Sequence, residues 1–212
     1  MTAETGQKVE IRALFATPVA IVAHPEAAAL NPTLKALLLA REAGEPSTQH
    51  SNLGGWQSSW DFEQWGGESG TRLFRFVLAL ATRLTATRDG KPVKPAWRLK
   101  AWANVNRRGH GNEFHVHPGC FWSGAYYVDD GGAGGDPSLG GEFEVADPRG
   151  AAPAMYQPDL VPALPGSEAE GANMTIPPVV GHVLLFPAWL SHGTRPYRGD
   201  GTRISVAFNL SL

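Results

Sequence analysis

Two histidines stand two residues apart in Phe114-His115-Val116-His117-Pro118, and a third, His192, closes the run Phe186-Pro187-Ala188-Trp189-Leu190-Ser191-His192. On an extended strand, positions i and i+2 face the same side, about 7 Å apart at their Cα atoms. Both imidazoles would then project into one space, which suits joint ligation of a metal ion. His192 follows an apolar strand and a proline, where a chain leaves a β core, and supplies a third ligand from far downstream. Three protein nitrogens on one face leave coordination positions open for substrate or dioxygen. Further on, Thr202-Arg203-Ile204-Ser205-Val206-Ala207 reads as a strand whose alternation aims Arg203, Ser205 and Ala207 at one face. If that face is the interior, the always-charged Arg203 needs an anionic partner, and its planar fork suits bidentate capture of a carboxylate.

Each reading has a plainer rival. A lone histidine is more often a structural one, and His24, His50, His110 and His182 are read that way. The triad of His115, His117 and His192 is read as a metal site because spacing, strand context and downstream partner agree. Arg203 could also be a surface strand-end residue paired to a carboxylate. Asn104, Asn106, Tyr126 and Asn209 fall on expected core strands, where they could bind a cofactor or substrate or merely satisfy backbone groups. Trp102, Trp122 and Trp189 are assigned to the core or a pocket wall. Cys120, the single cysteine, has no base nearby in sequence to make it a nucleophile.

The elements that must carry these residues change character along the chain. Ile11 to Ala23 reads as an edge strand interrupted by Pro18. Asn31 as N-cap and Pro32 as first helical residue predict a helix from about Pro32 to Glu42. The stretch Ser51 to Ser58 predicts a structured loop, and the stripe of Leu73, Val77, Leu80 and Leu84 a second helix from about Ser69 to Thr87. From Trp97 the period becomes two. Strands are expected at His115–His117, Trp122–Val128, Glu142–Val145, His182–Pro187 and Arg203–Leu210, each bounded by glycine or proline. Short strands so spaced suggest a jelly roll or barrel. The Gly-rich run Asp130 to Gly141 lacks the pattern of a phosphate-binding loop and reads as a hairpin or mobile loop. One domain is expected over residues 1–212, with residues 1–96 packing outside a β core of residues 97–212.

Composition narrows the function classes. With 18 Lys and Arg against 20 Asp and Glu, the net charge of −2 lacks the basic footprint of nonspecific nucleic-acid binding. One cysteine excludes an internal disulfide and zinc sites built from several thiolates. No run of about 20 apolar residues offers a membrane span. Met1 to Val9 is polar and has no apolar segment suited to a secretory signal, so a cytoplasmic location is expected.

His-x-His, Ser123-Gly124-Ala125-Tyr126-Tyr127-Val128, Gly140-Gly141-Glu142-Phe143, Asp147-Pro148-Arg149, Phe186 to His192 and Arg203-Ile204-Ser205 together resemble the 2-oxoglutarate and Fe(II)-dependent oxygenases of bacteria and phage. Phe15 to Pro18 and Ser51 to Ser58 resemble that family's N-terminal signatures. The resemblance covers most of the chain. It implies a mainly β protein, with a double-stranded β-helix (jelly roll) core and an N-terminal helical extension. It implies an oxidoreductase, a dioxygenase using Fe(II) with 2-oxoglutarate as co-substrate to hydroxylate a small molecule or amino-acid side chain. His115 and His192 take the places of two ligands, and Arg203 with Ser205 those of the pair that binds the distal carboxylate of 2-oxoglutarate. Tyr126 and Asn104 are further candidates for binding the co-substrate.

The departure is His117, where the wider superfamily has Asp or Glu; Glu113, on the same strand face, could still ligate or accept a hydrogen bond. A cupin-like three-histidine iron dioxygenase without 2-oxoglutarate, and a non-catalytic metal-binding module, are the alternatives. Substrate choice would fall to the loops from Ser51 to Gly67 and from Asp130 to Gly171.

Overall fold

The computed structural model describes residues 10–151, 155, 157, 159–160, 168 and 172–212, so the expected absence of a signal in Met1 to Val9 and much of the second specificity loop lie outside the described residues. In chain order the elements are β1 (Ala20–Ala23), α1 (Ala27–Gly44), β2 (Asn52–Leu53), β3 (Trp56–Gln57), α2 (Phe62–Trp65), α3 (Gly67–Arg83), β4 (Arg98–Asn106), β5 (Gly111–His115), β6 (Trp122–Asp130), β7 (Phe143–Ala146), β8 (Asn173–Ile176), β9 (His182–Pro187), β10 (His192–Thr194) and β11 (Arg203–Ser211). The strands form two antiparallel sheets, a larger one ordered β1-β9-β6-β11-β4-β3 and a smaller one ordered β2-β5-β10-β7-β8. Apart from β3-β4 and β7-β8, neighbours in each sheet are not consecutive in sequence, as in a jelly roll.

Strand alternation divides the large sheet into two faces. Ala101, Ala103 and Val105 of β4, Trp122, Tyr126 and Val128 of β6, Val183 and Leu185 of β9, and Ile204, Val206, Phe208 and Leu210 of β11 pack in one cluster with the helices. Helix α1 contributes Leu30, Leu34 and Leu38 to it, and α3 contributes Leu73, Phe74, Val77, Leu80 and Ala81, each set at helical spacing. Residues of opposite parity, including Tyr127, Leu184 and Phe186, meet Phe143 of the small sheet in a second cluster. Gly124 permits the helix-side packing: a Cβ there would lie 2.4 Å from both the Leu184 carbonyl and the Phe208 ring.

Three expectations for the N-terminal half need correction. The strand expected from Ile11 begins only at Ala20, where β9 offers a partner; Leu14 and Phe15 before it are exposed. The first helix starts at Ala27, not Pro32, and carries Pro32 inside it. Asn31 does not cap it, because its side-chain oxygen accepts a hydrogen bond from the Tyr126 hydroxyl at 2.6 Å. Nor does this half merely pack outside, for β1, β2 and β3 pair with β9, β5 and β4 and complete both sheets. The second helix, Gly67–Arg83, is shifted a few residues toward the N-terminus of its expected range.

The Asp130 to Gly141 run turns through a 3-10 segment, Pro137–Leu139, capped by Asp136, whose side chain accepts from the Ser138 amide. No helix among the described residues is long and apolar enough to cross a membrane.

Candidate metal and carboxylate site

Antiparallel pairing places His192, first residue of β10, directly opposite His115, last residue of β5. His117 lies just beyond β5, where its amide donates to the Ala188 carbonyl at 2.9 Å and holds it beside the turn that leads into β10. The expected strand His115–His117 thus ends two residues early, yet the two rings still converge. Ring centroids are 4.4 Å apart for His115 and His192, 4.9 Å for His115 and His117, and 5.1 Å for His117 and His192. One nitrogen from each ring lies within 4.8 Å of the others, close enough for a single ion to touch all three. Glu113 is exposed and stands outside this cluster; only its backbone carbonyl takes part.

Hydrogen bonds orient the rings. His115 Nδ1 lies 2.7 Å from the Glu113 carbonyl oxygen, and His192 Nδ1 lies 2.7 Å from that of Leu190. A carbonyl can only accept, so both rings carry their proton on Nδ1 and present an Nε2 lone pair to the centre. Burial favours the neutral form that a metal needs. It pulls His115 below its ordinary value, while burial and the neighbouring His115 bring His117 down to about 4 and His192 to about 3.

The large sheet supplies the opposite wall. Arg203, Ser205 and Ala207 of β11 line the same cavity as the three histidines, with Trp102 and Asn104 of β4, Tyr127 of β6 and Thr194 of β10. Arg203 is only 3% exposed. Its Nε donates to the Gly141 carbonyl at 3.0 Å, and its guanidinium carbon sits 5.3 Å from the Tyr127 ring centroid. Gly141, at φ +79°, allows this approach, since a Cβ there would come 3.2 Å from Arg203 Cδ. Burial works against the Arg203 charge, and Tyr127, then Asp130 and Glu142, favour it, but no carboxylate among the described residues forms an ion pair with it. A buried cation left this way calls for an anion from outside the chain. Ser205 and Asn104, both buried, are direct partners across β11 and β4.

Of the sequence candidates, His115, His117, His192, Arg203, Ser205 and Asn104 meet at one cavity. Tyr126 does not: its ring lies in the helix-side cluster with its hydroxyl on Asn31, so strand parity turns it away. Tyr127 lines the cavity instead. The signal was present in the sequence, since Ser123, Ala125 and Tyr127 form the parity whose small members leave room for a ligand. Asn209 reaches His117, with Nδ2 3.2 Å from the ring Nδ1. Trp102 walls the cavity and stacks on Trp60 at 5.0 Å, and Trp122 is core, but Trp189 is exposed. Phe143 and Ser51, which fall within the Gly140 to Phe143 and Ser51 to Ser58 motifs, also line the cavity, as does Asn112, which no motif singles out.

Several solved structures share the fold. A Trichoplax adhaerens prolyl hydroxylase, solved in complex with a hypoxia inducible factor peptide, aligns with a TM-score of 0.62 at 14% identity, covering 91% of this chain and 83% of that one. A Pseudomonas putida prolyl-4-hydroxylase aligns at 0.58 with 14% identity over 91% of each chain. HygX from Streptomyces hygroscopicus, solved with nickel and 2-oxoglutarate bound, aligns at 0.59 with 13% identity over 92% of this chain and 83% of that one. No curated protein sequence matches the chain. Residues 100–209, half of the chain and nearly all of its β core, match the family described as "Putative 2OG-Fe(II) oxygenase". The chain belongs to this family of oxidoreductases, which use Fe(II) and 2-oxoglutarate.

Proposed function

We propose that His115, His117 and His192 hold the iron, that Arg203 and Ser205 bind the distal carboxylate of 2-oxoglutarate, and that the enzyme hydroxylates a C–H bond of a small molecule or an amino-acid side chain. The observation that carries this reading is the buried Arg203, without an ion-pair partner among the described residues, opening on the same cavity as three converging imidazole nitrogens. The donor set fits Fe(II), a borderline ion that accepts imidazole, and three ligands leave room for a bidentate co-substrate and dioxygen. Fe(II) with 2-oxoglutarate and dioxygen supplies an oxidant that converts C–H to C–OH, while 2-oxoglutarate becomes succinate and carbon dioxide.

The chain's own residues do the rest. The Glu113 and Leu190 carbonyls hold the His115 and His192 protons on Nδ1, so each Nε2 faces inward. Arg203, fixed through Nε by Gly141 and flanked by Tyr127, presents its charge to the cavity for the incoming carboxylate. Phe143 and Phe186, each packed against His192, keep water from that side of the cavity. With three neutral ligands the site is one unit more positive than a site with two histidines and a carboxylate, which favours a dianionic co-substrate. The fold similarity to prolyl hydroxylases supports C–H hydroxylation as the reaction. Residues 1–212 act as one domain in this reading.

The test is an anaerobic titration of metal-free protein with Fe(II) and then 2-oxoglutarate, following the visible charge-transfer band of the chelate. A band in the wild type that is lost in His117→Ala and in Arg203→Ala supports the assignment. Iron binding without a band points to a three-histidine dioxygenase that does not use 2-oxoglutarate.

A further inference from the structure

We infer that Asn209 is the positioning residue that sets the tautomer of His117, and that among the described residues it is the one side chain that hydrogen-bonds a ring of the triad; this rests on the assignment of His117 as a ligand. The three rings are held in two different ways. His115 and His192 each donate from Nδ1 to the backbone carbonyl two residues earlier, at 2.7 Å, and that geometry serves one tautomer only. His117 has no such carbonyl among its hydrogen bonds. Its Nδ1 faces the side-chain amide of Asn209, which β11 alternation places on the same inward face as Arg203, Ser205 and Ala207.

An amide can answer either tautomer. With Nδ2 toward the ring, as the contact stands at 3.2 Å, the amide donates to an unprotonated Nδ1, and the ring proton sits on Nε2, where no metal can bind. Rotated by a half-turn, the amide offers Oδ1 to an Nδ1–H, and Nε2 becomes a ligand like those of the other two rings. Asn209 Oδ1 is buried and has no hydrogen-bond partner among the described residues, so nothing else anchors the amide in its present setting. One buried end stays unpaired in both settings, and the ring therefore decides the rotation. The structure assigns to Asn209 the role that fixed carbonyls play for His115 and His192, in a form that lets His117 change tautomer as metal arrives. A permanent acceptor at this position would hold the ligating tautomer at all times.

Three proteins test this: wild type, Asn209→Asp and Asn209→Leu. Two readouts are taken, histidine ring tautomers by 15N NMR on metal-free protein, and anaerobic Fe(II) affinity with Ni(II) as a redox-inert control. The expected result is that Asn209→Asp holds His117 as the Nδ1–H tautomer and keeps metal affinity at or above wild type, whereas Asn209→Leu loses roughly 10- to 100-fold in affinity, the usual range for removing a partner of a ligating histidine. His115 and His192 keep their Nδ1–H tautomers in all three. Asn209→Leu binding metal within about twofold of wild type, or Asn209→Asp failing as Asn209→Leu does, overturns the inference. If the leucine variant does not fold, the tautomer and affinity of the aspartate variant decide alone. Wild-type protein that binds neither metal overturns the metal-site assignment itself and, with it, this role for Asn209.

Discussion

The two faces of β11 are made by one run of nine residues and serve opposite ends. Ile204, Val206, Phe208 and Leu210 point to the helices and are fully buried in an apolar cluster. Arg203, Ser205 and Asn209, one residue out of phase, are almost as buried but polar, and their partners are a backbone carbonyl, a cavity and a histidine. Burial alone therefore does not separate core from site in this sheet. The difference is satisfaction: the helix face completes its own packing, whereas the cavity face holds a cation without a counter-ion among the described residues and imidazole nitrogens that converge on one point. The first arrangement is a source of stability, and the second costs stability for a ligand that will repay it.

Changes on the two faces should therefore separate metal binding, co-substrate binding and folding. His192→Ala has the largest effect. Removal of a direct ligand should cut Fe(II) affinity by more than the roughly 100-fold seen for outer partners, measured by anaerobic titration, with little change in the thermal midpoint of the metal-free protein. Phe208→Ala on the opposite face should do the reverse. Deleting a buried ring costs about 3–5 kcal/mol of folding stability by denaturant unfolding, while the KM for 2-oxoglutarate of the folded fraction stays near wild type.

Arg203→Met sharpens the contrast. Losing charge-assisted hydrogen bonds of about 1.5–3 kcal/mol should weaken 2-oxoglutarate binding roughly 10- to 150-fold. Folding stability of the free protein should hold or rise, because an uncompensated buried charge has gone. A clear fall in stability on Arg203→Met would mean that Arg203 is structural.

Acidity offers a graded form of the comparison. His117 and His192 are held neutral in the folded protein, at about 4 and about 3, against about 6.5 when unfolded. The unfolded chain thus binds more protons in this window, and stability rises with pH through it. The metal-free protein should lose stability as pH falls from about 6.5 toward 4 and below. His24, on the helix side, shifts in the same direction by burial, so the control is His117→Gln, in which the slope of thermal midpoint against pH should flatten. The smallest effect expected is Tyr126→Phe. It removes the hydroxyl bond to Asn31 and should cost about 1 kcal/mol of stability with no change in 2-oxoglutarate affinity. Any change in that affinity would erase the division between the faces.

Much of the site was legible because it rests on short-range periodicity. The spacing of His115 and His117, the apolar run into His192, and the strand opening on Arg203 each report a local backbone and the side it shows. The same rule stopped at β6, where Tyr126 and Tyr127 are adjacent and parity had to be chosen; the small residues Ser123 and Ala125 mark the cavity side, and Tyr126 lies on the other. The first helix misled for a different reason. Asn31-Pro32 is a strong local start signal, but Asn31 is engaged by a tyrosine from β6, and the helix begins at Ala27. A tertiary hydrogen bond outweighed a propensity worth about 1 kcal/mol.

Sequence by itself determined the β periodicity, the residue types of the triad, and the shared parity of Arg203 and Ser205, since each depends on neighbours two to four positions away; that this parity faces inward came from the tertiary structure. Only the tertiary structure decided that β10 pairs His192 with His115, that Ala188 holds His117, that β2 brings its neighbour Ser51 to the cavity, and that Asn209 meets the His117 ring. Those contacts join residues tens of positions apart, and no local preference encodes them. They are fixed by which strands pair and which faces must be buried.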